Sequence, residues 1–77
     1  MSHVPHELAE EFPADKDKMQ ILKQTDAHFA KLSDEYHELN REIHRVETGV
    51  TPADDSFEKQ LRRKRLVLKN EIGTFLR

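Results

Sequence analysis

Apolar side chains in the first half of the chain recur at Leu22, Phe29, Leu32, Tyr36, Leu39, Ile43 and Val46. After one gap of seven the steps are 3, 4, 3, 4 and 3, and Thr25 fills the position that the gap leaves. This is a heptad a/d stripe, the mark of a helix laid along another helix; a half-buried strand would alternate every second residue. Lys31 and Glu35 form an opposite-charge i,i+4 pair between stripe positions, and Asp15 and Asp17 bring negative charge to a helix start. The pattern predicts a first helix over about residues 14–47, ~50 Å long at 1.5 Å per residue.

Thr48-Gly49 is the stop signal, because glycine adopts the left-handed conformation that closes a helix without strain. Thr51-Pro52-Ala53-Asp54 then combines a capping threonine, proline at the first helical position and an acidic residue three positions on. A second helix is expected over about 52–76, after a turn at 48–51. So short a connection sends it back antiparallel. With the turn centred near residue 50, Ile43 would meet Phe57, Leu39 would meet Leu61, Leu32 would meet Leu68 and Phe29 would meet Ile72. Apolar meets apolar in each layer. Tyr36 would face Lys64 or Arg65, the cationic stem lying along the ring while its charge reaches water. The fold expected is all-α: an antiparallel two-helix hairpin of coiled-coil type over 14–77, preceded by an N-terminal extension, residues 1–13.

Some apolar residues have no place in that hairpin. Leu66 and Val67 lie on the far side of the second helix from Leu61 and Leu68. Met19, Ile21 and Leu22 would extend past the end of the shorter partner helix. Clustered exposed apolar groups mark contact surfaces. These five are the candidate interface, with a second copy as the expected partner and an unidentified protein as the other. In the extension, Leu8 and Phe12 are spaced i,i+4 before Pro13, which suits one helical turn, either folded back over Met19 and Leu22 or loose.

Composition strengthens the case for association. A chain of 77 residues holds one domain whose single core is small, and without cysteine it can form neither disulfides nor thiolate metal sites. No apolar run approaches the roughly 18 residues that span a bilayer. The first twelve residues hold three glutamates and neither Lys nor Arg, unlike a secretory signal, so a cytoplasmic location is expected. The net charge of −2 conceals two unlike halves. Residues 1–47 carry six basic and eleven acidic side chains, and residues 48–77 carry seven and four. Folded side by side, they neutralise each other.

Candidate chemistry is sparse. His37 and His44, seven apart on one helix, stand ~10 Å apart along its axis, too far to share an ion, and both are expected to face water. His3 and His6 with Glu7 could hold a divalent ion only weakly, and His28 has no partner at usable spacing. Ser2, Ser33 and Ser56 sit in no nucleophile turn, and Gly49 and Gly73 make no phosphate loop. No metal, cofactor or catalytic residue is expected, and the chain reads as a non-enzymatic interaction module. The alternative is nucleic-acid binding through the basic face of the second helix: Lys59, Arg62, Arg63 and Lys69. It is not favoured, because Phe57 and Phe75, the aromatics that might stack on bases, are assigned to the core. A membrane surface is disfavoured because acidic residues border the basic run.

Phe12-Pro13, Leu22-Lys23, Phe29, Leu32, Asp34, Leu39, Glu42-Ile43 and Glu47, followed by Leu66-Val67-Leu68-Lys69-Asn70-Glu71, resemble the YdcH-like family of small bacterial proteins of unknown function. The resemblance covers about residues 12–77 and leaves 1–11 as an extension. Tyr36 stands where some members have His, and Asn70 where Asp is usual. The resemblance implies a bacterial, cytoplasmic helical hairpin. It implies no activity, substrate or catalytic residue.

Overall fold

The computed structural model describes residues 5–77. Along the chain come a single helical turn, α1 (Leu8–Glu11), a 3-10 turn (Pro13–Asp15), then α2 (Lys16–Thr25), α3 (Ala27–Glu47) and α4 (Asp55–Leu76). Among the described residues there is no strand, and the chain is all-α.

The long first helix expected over 14–47 is two helices. Asp26 has extended backbone (φ −130°, ψ 107°), and its side chain accepts the Phe29 N–H at 3.1 Å, capping α3. Thr25 meanwhile turns its hydroxyl back to the Ile21 carbonyl, 2.8 Å away. Both side chains offer the backbone an alternative to continuing the helix, which is why Ser, Thr, Asp and Asn favour such boundaries. The gap in the stripe at Thr25 is therefore a corner. It turns α2 so that Met19 is buried and Leu22 packs on the core, and neither overhangs.

α3 ends as expected at Gly49, whose φ of +79° is left-handed. The Gly49 N–H bonds the Val46 carbonyl and the Val50 N–H bonds the Arg45 carbonyl, the paired closure of a Schellman motif. α4 starts three residues later than expected. Asp54, not Thr51, is the cap, and its carboxylate accepts the Phe57 N–H at 2.8 Å. Aspartate caps better than threonine, and this start puts Asp55 and Glu58 in the first turn, where the helix dipole favours them.

The later start moves the register by about one turn. Phe29 meets Phe75 edge-on, ring centres 5.5 Å apart, and shares the core with Ile72. Phe57, expected in the core, is 41% exposed. The main core gathers Leu8, Met19, Phe29, Leu32, Tyr36 and Ile72, backed by Phe12, Leu22, Leu68, Phe75 and Leu76. Ile43 and Leu61 are buried outside that cluster. Lys18 on α2 donates to the Leu76 carbonyl at 3.2 Å, so a cation closes the C-terminal end of α4.

This packing sets an order of stabilities. Leu32→Ala should cost about 2–5 kcal/mol, Asp26→Ala about 1 kcal/mol and Phe57→Ala about 0.5 kcal/mol or less, read from urea unfolding midpoints. Equal losses for Leu32→Ala and Phe57→Ala would overturn the register described.

Candidate functional site

The middle of α3 buries polar groups among apolar ones. Tyr36 and Asn40 follow one another by one helical turn and are both almost fully buried. The first described residues of the chain come to meet them. The Tyr36 hydroxyl donates to the His6 carbonyl at 2.6 Å, and the Asn40 amide nitrogen donates to the Pro5 carbonyl at 2.8 Å. The Asn40 amide oxygen in turn accepts from the Arg65 guanidinium of α4 at 2.9 Å. One amide thus joins the N-terminal segment, α3 and α4. The Arg65 guanidinium, expected from the sequence to reach water past the Tyr36 ring, is bound by Asn40.

Two carboxylates hold the same segment from its sides. Glu7 lies 2.8 Å from His37 Nδ1, so His37 faces the N-terminal segment rather than water. Glu11 takes His6 Nδ1 at 2.9 Å on one oxygen and Lys69 Nζ at 3.4 Å on the other. Leu8, between them, is buried in the core. Nothing in the heptad pattern named Asn40, Tyr36, Pro5 or Glu7 as a group. The available signal was Asn40 itself, a polar residue one turn on from Tyr36 and three before Ile43.

The expected interface residues divide. Met19 and Leu22 belong to the chain's own core, because of the corner at Asp26. Ile21, Leu66 and Val67 remain 61%, 57% and 55% exposed. Val67 also lines a shallow groove of about 470 Å³ with Leu39 and Leu68, bordered by Glu35 on α3 and by Arg63 and Lys64 on α4. The basic face divides as well. Arg62 lies 2.9 Å from Glu58 and 3.7 Å from Glu47, and Lys69 is held by Glu11. Lys59 and Arg63 are exposed and form no ion pair among the described residues.

A second cavity, of about 280 Å³, is lined by Glu7, Leu8, Met19, Lys23, Ser33 and His37 among others. Serine, histidine and glutamate meeting in one cavity invite comparison with a catalytic relay, which requires the hydroxyl to bond the imidazole. Among the described residues the buried Ser33 hydroxyl has no hydrogen-bond partner, so it does not bond His37. Among the described residues no three His, Asp or Glu side chains are arranged to hold a metal ion; His3 and Ser2 lie outside them.

Burial, with the Glu11 charge behind it, pushes the Tyr36 phenol from 10.0 up to about 12; Arg65 opposes the rise and Glu7 adds to it. Because the folded value is raised, the stability Tyr36 contributes is full below pH 10 and is lost as pH rises through 12. Burial also pushes the Glu11 carboxyl up, but the His6 hydrogen bond and the adjacent Lys69 outweigh it and hold the group below 4.5. Its contribution is full above pH 4.5 and is lost as pH falls through the depressed value. The chain has one tyrosine and no tryptophan, so phenolate absorbance reports this site alone. Its midpoint should lie near pH 12, and a midpoint near 10 would show that the N-terminal segment leaves Tyr36 open.

No curated protein matched the chain, and no solved structure did. A family model did match, over residues 29–76, more than half the chain and nearly all of α3 and α4. YdcH-like small proteins, which the residues of α3 and α4 resemble, are part of the same family. The chain belongs to the family described as "Protein of unknown function (DUF465)".

Proposed function

We propose that this chain is a non-enzymatic interaction module: an antiparallel, coiled-coil-like helical hairpin that self-associates, working in the cytoplasm. Pairing of Phe29 with Phe75, Asn40 with Arg65 and Glu47 with Arg62 supports the antiparallel course. The observation that carries self-association is the groove between Leu39, Val67 and Leu68, and Leu66, next in sequence to Val67, is exposed as well. Its rims differ in charge, Glu35 against Arg63 and Lys64. A two-fold contact sets each patch on its own copy. Glu35 of one copy then meets the basic rim of the other while the apolar floors join. A stable interface buries about 800 Å² on each partner, and the chain exposes 5446 Å² in all, so a contact of ordinary size would cover a modest share of it.

Sedimentation equilibrium tests this reading. The parent should be a dimer at tens of micromolar, and Val67→Glu should be monomeric with unchanged helicity. A monomeric parent of full helicity would remove the proposal. Exposed Lys59 and Arg63 support the second reading, nucleic-acid binding, although Arg62 and Lys69 are already occupied by carboxylates. Such binding weakens steeply with salt through counterion release. An RNA or DNA shifted at about 50 mM salt by the parent but not by a Lys59→Gln, Arg63→Gln double variant would favour it.

A further inference from the structure

Residues 5–12 lie on α3 and α4 as a bound peptide lies on a receptor. Their backbone is recognised through two carbonyls, taken by the Tyr36 hydroxyl and the Asn40 amide. Their side chains are recognised at three points: Glu7 by His37, Glu11 by Lys69, and Leu8 by the apolar cluster around Phe29, Leu32 and Ile72. The segment has little structure of its own to keep it there. α1 is four residues long, and isolated helices of that length do not persist in water. His6 takes a left-handed backbone (φ 64°) that is uncommon outside glycine, a conformation held only when the surroundings impose it. Glu7, the cap of α1, makes no side-chain capping bond; its carboxylate is on His37 instead. The receiving face dictates the conformation of the segment.

We infer that the α3/α4 face centred on Tyr36, Asn40 and Lys69 is a docking site for a short acidic segment anchored by one leucine, and that residues 5–12 occupy it in cis. The partner is a peptide with a carboxylate, leucine immediately after it and a second carboxylate three residues further on, as in Glu7-Leu8-Ala9-Glu10-Glu11. Chemical complementarity supports that choice: Lys69 takes the Glu11 carboxylate, His37 takes the Glu7 carboxylate, and Asn40, held by Arg65, takes the Pro5 carbonyl. The chain's own segment covers the site, and a competing peptide must displace it. This inference is independent of the Leu39, Leu66 and Val67 contact proposed above and survives if that contact fails.

The test uses the full chain carrying Glu7→Ala and Leu8→Ala, which weaken the cis segment, and as probe a labelled peptide of residues 1–15, which contains no tyrosine. Fluorescence anisotropy should show saturable binding to this variant. Affinity for the parent should be about tenfold lower or less, because its site is already filled. Binding should also fall about tenfold when Asn40→Ala is added, or when the peptide itself carries both Glu7→Ala and Glu11→Ala. Absence of saturable binding to a variant with parental helicity would overturn the inference, as would affinity for the parent, or for the protein with Asn40→Ala added, equal to that for the Glu7→Ala, Leu8→Ala variant. Should the variant not fold, hydrogen exchange on the parent decides. Amides of residues 9–12 should exchange faster than those of mid-α3 and mid-α4, by an opening that leaves α3 and α4 protected, and equal protection in all three overturns it.

Discussion

A phenol hydroxyl and a carboxamide buried in the middle of a helix face must find partners, and that requirement organises this chain. Leaving either unpaired costs about 1–3 kcal/mol, a large fraction of what a domain this small can have. Pro5 and His6 bring carbonyls that also need donors, so the demands of α3 and of the N-terminal segment cancel each other. Asn40 goes further, because its oxygen is taken by Arg65. A leucine there would tolerate α4 sliding by a turn, whereas a carboxamide held from two sides does not. Polar groups at such positions fix register in helix pairs, and Asn40 is placed to do the same here.

How much of this could be read in advance depended on which period was followed. The 3.5-residue stripe located α3 and four of its six buried residues, Phe29, Leu32, Tyr36 and Ile43. The face that is buried, Phe29, Leu32, Ser33, Tyr36, Asn40 and Ile43, is wider and follows the 3.6-residue period of a straight helix. A stripe of a and d positions omits Ser33 and Asn40, and these flank the ground that the N-terminal segment covers. Capping decided the other differences. Asp26 is a capping residue by type, but counting Thr25 as a stripe position carried the helix past it; Asp54 competed with Thr51, and the stronger cap won. Three residues in the start of α4 changed which apolar residues met, leaving Phe57 outside and setting Phe75 against Phe29.

The unlike charge of the two halves plays a narrower part than complementarity suggested. Ion pairs join the acidic half to α4 at Arg62–Glu47 and Lys69–Glu11, and all four side chains are partly exposed. Pairs of that kind contribute about 0–1 kcal/mol each. They steer and orient more than they stabilise. Lys69 has the more telling position, because its carboxylate partner comes from the N-terminal segment, outside the part of the chain that the family model covers. Membership of the family therefore accounts for α3 and α4 and leaves this contact to be explained by the segment itself. A fold carries no activity of its own; sites built on it do.

The two surfaces described above use opposite edges of α4. At 100° per residue, Arg65 and Lys69 flank one side of the stripe formed by Leu61, Leu68 and Ile72, while Lys64 and Val67 flank the other. A core one stripe wide leaves both edges of α4 outside it, a consequence of the same shortage of apolar area that limits the stability of a small domain. The edges differ in how they are covered. The Val67 groove is open, and contact there displaces only water. The Arg65 and Lys69 edge lies under a segment whose one helical turn cannot stand alone, so opening it means releasing Leu8 and two carbonyl bonds while the Phe29–Phe75 and Asn40–Arg65 contacts stay in place. Local release of that kind requires less free energy than unfolding the whole chain. The covered edge is therefore the one whose availability can be altered without dismantling the fold.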